Sequence, residues 1–253
     1  QKNQGVTVSP QLQNSFEKGF DFISSLQGEL GGFKQGIGDV KEDHFLHHVQ
    51  FNDGTVANVL ELLKAIGSGK YDAAISPAKL REIKQKAEEQ FQKGIQFILD
   101  AQRQSNKTKN IWGQQVAGRK DGFVDPYAPV RGRDFELPAL STLESSHVLA
   151  LLNENLNHPA LPAELKREML KSIQAGSEFL NSNTFLVHLN SEGLPDCPPN
   201  AGQKPENAKK VWSRFLDPDT LEPFISDRPL KVKENKKTIK VDRKYFLGNP
   251  PTQ

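Results

Sequence analysis

Phe16-Glu17-Lys18-Gly19-Phe20-Asp21-Phe22-Ile23 sets Phe16, Phe20 and Ile23 at i, i+4 and i+7, the spacing that lines one face of a helix. The same face returns as Phe91, Ile95 and Ile98, and again as Ile173, Ser177 and Leu180. Each copy carries a glycine just before its middle residue: Gly19, Gly94 and Gly176. Glycine inside a helix costs about 1 kcal/mol against alanine, so close packing of a neighbouring backbone is the reading for all three. A second helix type alternates with the first, since Val59-Leu60-Glu61-Leu62-Leu63 is echoed by Val148-Leu149-Ala150-Leu151-Leu152. Hairpins of helices repeating at about 80 residues predict an all-α fold, an α/α toroid or short solenoid whose units bury their faces on one another. Chance recurrence in leucine-rich helices is the competing reading.

The whole chain, 1–253, reads as one domain: helical hairpin repeats over 1–182, then a proline-bearing, loop-rich segment over 183–253. Lys and Arg number 33 against 31 Asp and Glu, so a net charge of +2 offers no global field for nucleic acid or an anionic membrane. Mean hydropathy is -0.60 and no apolar run approaches the roughly 20 residues of a membrane span. The single Cys197 excludes an internal disulfide and any Cys-rich zinc site. The chain opens at Gln1 without Met or an apolar leader, which reads as a processed or truncated product.

Loops follow the first helix type with related chemistry: Gly31-Gly32-Phe33-Lys34-Gln35, then Ile111-Trp112-Gly113-Gln114-Gln115. At one end of a toroid their aromatics would stack on sugar rings and their amides bond hydroxyls; the alternative is a turn with a buried aromatic. Asn52 and Asp53 stand before a helix, where either is a natural N-cap, while an Asp53 facing a cleft would offer oxygen to a hard cation. Ser141 with Glu144 makes a capping box. It leaves the arginines of Arg131-Gly132-Arg133-Asp134-Phe135-Glu136-Leu137-Pro138 without a structural reason. Arg214 and Arg228 lie further on; Arg214 would pair with Asp217 or capture a carboxylate bidentately. The basic run Lys231 to Lys244 reads as a solvated surface rather than a polyanion site. His44, His47 and His48 lack the carboxylate motif of a zinc site and read as ordinary loop histidines.

Taken in order, several blocks make the sequence resemble the pectate lyases of polysaccharide lyase family ten. They are Phe51-Asn52-Asp53 leading into Val59–Leu63, Trp112 with Gln115, and Arg133 through Ser141 with Glu144-Ser145. Trp212-Ser213-Arg214-Phe215 with Asp217, then Arg228, then Arg243-Lys244-Tyr245 complete the series. The resemblance implies an α/α toroid that cleaves polygalacturonate by calcium-assisted β-elimination, secreted or periplasmic, and working as a monomer. It implies Arg133 as the base and Asp53 at the metal. Arg214 and Arg228 would bind substrate carboxylates, and Trp112, Gln115, Glu136 and Asn52 would line the substrate cleft.

The chain departs from the family in three places. Gly54 stands where the family has a second acidic residue, and Lys34 where it tends to have proline. A further metal-site aspartate of the family falls some sixty residues upstream of Asp53, so the chain is expected to be N-terminally incomplete or divergent. Two other functions stay open: a lyase-like protein that binds acidic glycan without cleaving it, and a helical interaction scaffold whose loop aromatics are core and whose arginines form surface salt bridges.

Overall fold

A computed structural model of the chain describes residues 8–36, 38, 44–105, 108–120, 122–133, 135–183, 185–187, 209–211, 213–234 and 237–246. The two helix types alternate as the periodicity predicts: α1 (Pro10–Ser25), α2 (Thr55–Gly67), α3 (Leu80–Ala101), α4 (Thr142–Asn155) and α5 (Ala163–Ser182). α1 opens on Ser9, whose hydroxyl accepts the Leu12 N–H, with Pro10 at the first position, where its missing donor costs nothing. α2 pairs with α3 and α4 with α5, and α3 also meets α5, so each apolar stripe is covered by the next hairpin. Leu60, Leu63 and Ile66 of α2 meet Phe91, Ile95 and Ile98 of α3 in one core that continues to Trp112, Leu152 and Met169. Each such side chain taken fully from water contributes on the order of 1.5–3 kcal/mol.

The three repeated glycines divide into two kinds. A methyl group on Gly94 would come within 2.4 Å of Leu60 Cδ2, and one on Gly176 within 3.0 Å of Leu149 Cδ2. Both sit where neighbouring helices press closest, as expected, although it is side chains and not backbone that press. Gly19 has nothing within 4 Å and lies on an exposed face of α1, so close packing does not explain it.

The inter-helix loops are stitched by short antiparallel pairs. β1 (Val49–Gln50) pairs with β4 (Gln115–Val116), and β5 (Leu140–Ser141) with β8 (Phe215–Leu216). β2 (Gln104–Ser105) pairs with β3 (Thr108–Lys109), and β6 (Phe185–Val187) with β7 (Lys209–Val211). Single bridges extend these, Lys34 to Val49, Val116 to Pro129 and Gly113 to Leu140, so the loops after α1 and α3 are drawn together. Their aromatics do not face outward: Phe33 and Trp112 are both 0 % exposed, and both are core.

Within the segment expected to be rich in loops, β9 (Phe224–Glu234) and β10 (Lys237–Phe246) form a long antiparallel hairpin, with Leu230 opposite Val241 and Lys231 opposite Lys240. The alternation of Leu230, Lys231, Val232 and Lys233 is the period of a strand, overlooked because lysines dominate the run. Cys197 and Trp212 lie outside the described residues.

The glycine contrast is testable by urea unfolding. Gly94→Ala should lose about 1–3 kcal/mol by overpacking a closed core. Gly19→Ala should gain about 0.5–1 kcal/mol from helix propensity. Equal effects at both sites would contradict the packing described.

Candidate functional site

Beside the stitched loops lies a cleft of about 220 Å³ lined by Asn52, Asp53, Gln114, Arg133, Phe135, Glu136, Leu137, Arg214, Phe215 and Phe224. Its first wall comes from the turn ahead of α2. Asp53 has φ 54° and Gly54 φ 68°, consecutive left-handed residues that form a tight turn. For a side-chain-bearing residue this conformation is uncommon, and aspartate is among the few that tolerate it. The helix begins at Gly54 with no side-chain cap, so neither Asn52 nor Asp53 caps α2. Asn52 is instead held through its backbone, its N–H donating to Gln114 O at 3.2 Å, while the Asp53 side chain is exposed at the cleft.

The second wall is the 131–137 loop, closed on itself by Glu136. The Glu136 Oε2 accepts the Arg133 backbone N–H at 2.8 Å, and Oε1 accepts from Arg133 Nε at 3.0 Å and from Nη2. Gly132 is required behind this pair, because a methyl there would lie 2.0 Å from Gln115 Nε2 and 2.4 Å from Glu136 Oε2. Burial works to raise the Glu136 carboxyl, but hydrogen bonds from the Arg133 side chain and backbone, aided by the Arg133 and Arg214 charges, hold it below its ordinary value. The hydrogen bond to Glu136 likewise raises the Arg133 guanidinium above its ordinary value, with Asp53 adding in the same direction.

The third wall hangs on the β5–β8 pair. Thr142 donates its N–H to Arg214 O at 3.0 Å and its hydroxyl to Ser213 O at 2.8 Å, which fixes the Arg214 backbone against the start of α4. The Arg214 Nη2 donates to Glu144 Oε1 at 2.7 Å, with Asn52 Oδ1 at 3.4 Å. Asp217 is not its partner; that carboxylate accepts the Asp219 and Thr220 N–H groups of its own turn. The capping box is also reassigned, because the Ser141 hydroxyl at the N-cap accepts no backbone N–H of the helix and donates to Glu144 Oε2 instead.

Five of the residues singled out in the sequence therefore meet in one cleft: Asn52, Asp53, Arg133, Glu136 and Arg214. Trp112 does not; it is fully buried, with its indole N–H donating to Ile98 O at 2.7 Å, and offers no face to a sugar. Gln115 is 3 % exposed and packs behind Gly132, outside the lining. Its neighbour Gln114 lines the cleft, and strand alternation between the two was the signal for it. Arg228 falls in β9 by its backbone, and its side chain lies outside the described residues. His44 caps a single 3-10 turn, accepting the Leu46 N–H, and His48 is buried against Phe123.

The pectic acid lyase family model matches residues 6–248. The chain belongs to that family. Its solved relatives include a family 10 polysaccharide lyase from Cellvibrio cellulosa, at 24% identity and a TM-score of 0.65, over 87% of this chain and 62% of that one. A mutant of a family 10 polysaccharide lyase from the same organism, in complex with trigalacturonic acid, matches at 22% identity and a TM-score of 0.64, over 92% and 65%. At this identity the likeness establishes the fold, the α/α toroid expected from the helical repeat. The chain spans less than two thirds of those relatives' length. No curated protein sequence matches it. No described helix is long and apolar enough to cross a membrane.

Calcium takes six to eight oxygens. Among the described residues no group of three His, Cys, Asp or Glu side chains is placed to hold a metal. Glu136 and Glu144 are committed to arginines, which leaves Asp53 as the carboxylate facing the cleft without an ion pair. The donor set on these residues alone does not fit a resident calcium.

The Glu136 shift has a pH consequence. A carboxyl held below its ordinary 4.5 contributes stability that is complete above that unfolded value and lost as pH falls through the folded one. Urea unfolding followed from neutral pH downward should therefore lose stability less steeply in Glu136→Gln below that point. An unaltered acid limb would show that the Arg133–Glu136 pair does not form in solution.

Proposed function

We propose that this chain is a pectate lyase acting on α-1,4-polygalacturonate by β-elimination to give 4,5-unsaturated oligogalacturonides. The observation that carries the reading is the convergence of Arg133 and Arg214 on one cleft in a member of the pectic acid lyase family. The solved relative bound to trigalacturonic acid supports an acidic glycan as substrate. Such a polymer lies outside cells, so the reading includes export.

The reaction removes the proton at C5, α to the uronate carboxylate, and expels the C4 oxygen. The barrier falls when the charge gathering on that carboxylate is neutralised. Arg214, half exposed at the cleft, supplies planar donors for it, with Arg228 as a second candidate. Asn52 and Glu136 border the same space, and Gln115 supports it from behind Gly132.

Arg133 is the base in this reading, by the resemblance of its motif. Bringing a guanidinium down to titrate near neutrality costs roughly 7 kcal/mol. Glu136 and Asp53 push it the other way. The resting pair is thus the wrong state for a base, and substrate must draw Glu136 off Arg133 before the proton moves.

Calcium, if used, would find Asp53 as its ligand on this chain. A second reading, an acidic-glycan binder without turnover, is favoured by the want of a three-ligand metal group among the described residues. In the scaffold reading the loop aromatics are core, as they are here, but two arginines collected in one cleft are not what scattered salt bridges would give.

The assay is ultraviolet absorbance of unsaturated uronate on polygalacturonate, with calcium and then with chelator. Product formation is expected, its loss in chelator being the sign that a cation joins the site only together with substrate, and Arg133→Lys should lower turnover by about 10²–10⁴ with folding intact, since lysine keeps charge but not geometry. Binding without product would move the assignment to the inactive binder, and near-normal activity of Arg133→Lys would remove that residue from the chemistry.

A further inference from the structure

We propose that Glu144 is a positioning residue, a buried carboxylate that locks the Arg214 guanidinium by one nitrogen and turns its remaining donors to the cleft. This rests on reading the cleft as a uronate site. Glu144 is 2 % exposed while the Arg214 side chain is 47 % exposed, so the pair spans the boundary between core and cleft. Neither Glu144 oxygen is left over: Oε1 takes Arg214 Nη2, and Oε2 takes the hydroxyl of Ser141, itself fully buried. Held at both ends, the carboxylate has one arrangement, and it is absent from the cleft lining.

The hold on Arg214 continues into the core. The Ser141 carbonyl accepts the Ser145 hydroxyl, and the Ser145 oxygen accepts the Trp112 N–H. A long side chain on a loop would otherwise sample several rotamers and lose that freedom on each binding event. Here the loss is taken on folding. Of the guanidinium nitrogens, Nη2 faces Glu144 and Asn52, and among the described residues no other group accepts from Arg214. Nη1 and Nε therefore stay available as donors to an anion, and a bidentate edge is completed when the 3.4 Å bond from Nη2 to Asn52 gives way.

Positioning and neutralisation make opposite forecasts, which permits a decisive test. If Glu144 merely cancels charge, removing its charge strengthens binding of a polyanion; if it positions, removal weakens binding. Calorimetric Kd for trigalacturonic acid and KM for polygalacturonate would be measured on the full chain and on Glu144→Gln, Arg214→Ala and the double variant.

The expected result is an increase of about tenfold in Kd and KM for Glu144→Gln, and no further increase when the same change is made in Arg214→Ala, since the effect acts through that arginine. Tighter or unchanged binding by folded Glu144→Gln, or an equal loss in both backgrounds, overturns the proposal. Should Glu144→Gln fail to fold, Ser141→Ala frees one carboxylate oxygen while keeping the charge, and is expected to weaken binding about threefold; no loss there overturns it equally. Wild-type protein that neither binds nor cleaves either glycan refutes the uronate reading itself and the inference with it, whereas wild-type binding with an additive cycle refutes the inference alone.

Discussion

Trp112 donates its indole N–H to Ile98 O inside α3 and its backbone N–H to the Ser145 hydroxyl on α4, while its carbonyl accepts the Ser141 N–H. Three hydrogen bonds from one buried residue thus fix the loop after α3 to two helices that are distant in sequence. Gln114 and Gln115 follow directly, and their carbonyls receive Phe51, Asn52 and Val130. Both the turn that carries Asp53 and the loop that carries Arg133 are hung on the strand that Trp112 anchors. An indole in the cleft would leave that strand without its tie to the core, so the core position of Trp112 is what makes the cleft possible.

The cleft adds charge to this frame in pairs. Each arginine has its own carboxylate, Glu136 for Arg133 and Glu144 for Arg214, but the pairs differ in setting. Glu136 is a near neighbour in sequence, three residues on in the same loop, so its pair can open when the loop moves. Glu144 belongs to a helix and meets a residue just ahead of β8, seventy residues later, so opening its pair would leave a buried carboxylate with the Ser141 hydroxyl alone. In the proposed reading the first arginine would change partner and the second would keep its own.

Much of this was legible in the sequence, and the failures have physical causes. The i, i+4, i+7 faces and their glycines specify helices because burial of a stripe is the same problem in each repeat. Of the two readings open for the loop aromatics the buried one holds, and both stood open because sequence cannot distinguish an aromatic that stacks on a ligand from one that plugs the gap between hairpins. Ser141 and Glu144 have the spacing of a capping box, yet the same spacing lets the two side chains bond each other once Arg214 arrives from far along the chain. Long-range partners of this kind leave no local trace. The β9–β10 hairpin was missed for the opposite reason: its alternation is local, but its lysines make it look like solvated coil.

Counting formal charges about the cleft, two guanidinium groups, Arg133 and Arg214, face the three carboxylates Asp53, Glu136 and Glu144. Among the described side chains these five groups leave no positive surplus with which to attract a polyanion, in keeping with a chain whose net charge is only +2. In the proposed reading, selectivity for an acidic glycan would then rest on geometry at short range more than on a long-range field from these groups. In the proposed reading a uronate carboxylate would enter either at the remaining donors of Arg214 or by replacing Glu136 at Arg133. The second exchange would trade one carboxylate for another at nearly constant charge, so the energy that drives it would have to come from sugar contacts elsewhere along the cleft, where the partly exposed Phe135 and Phe215 supply apolar surface.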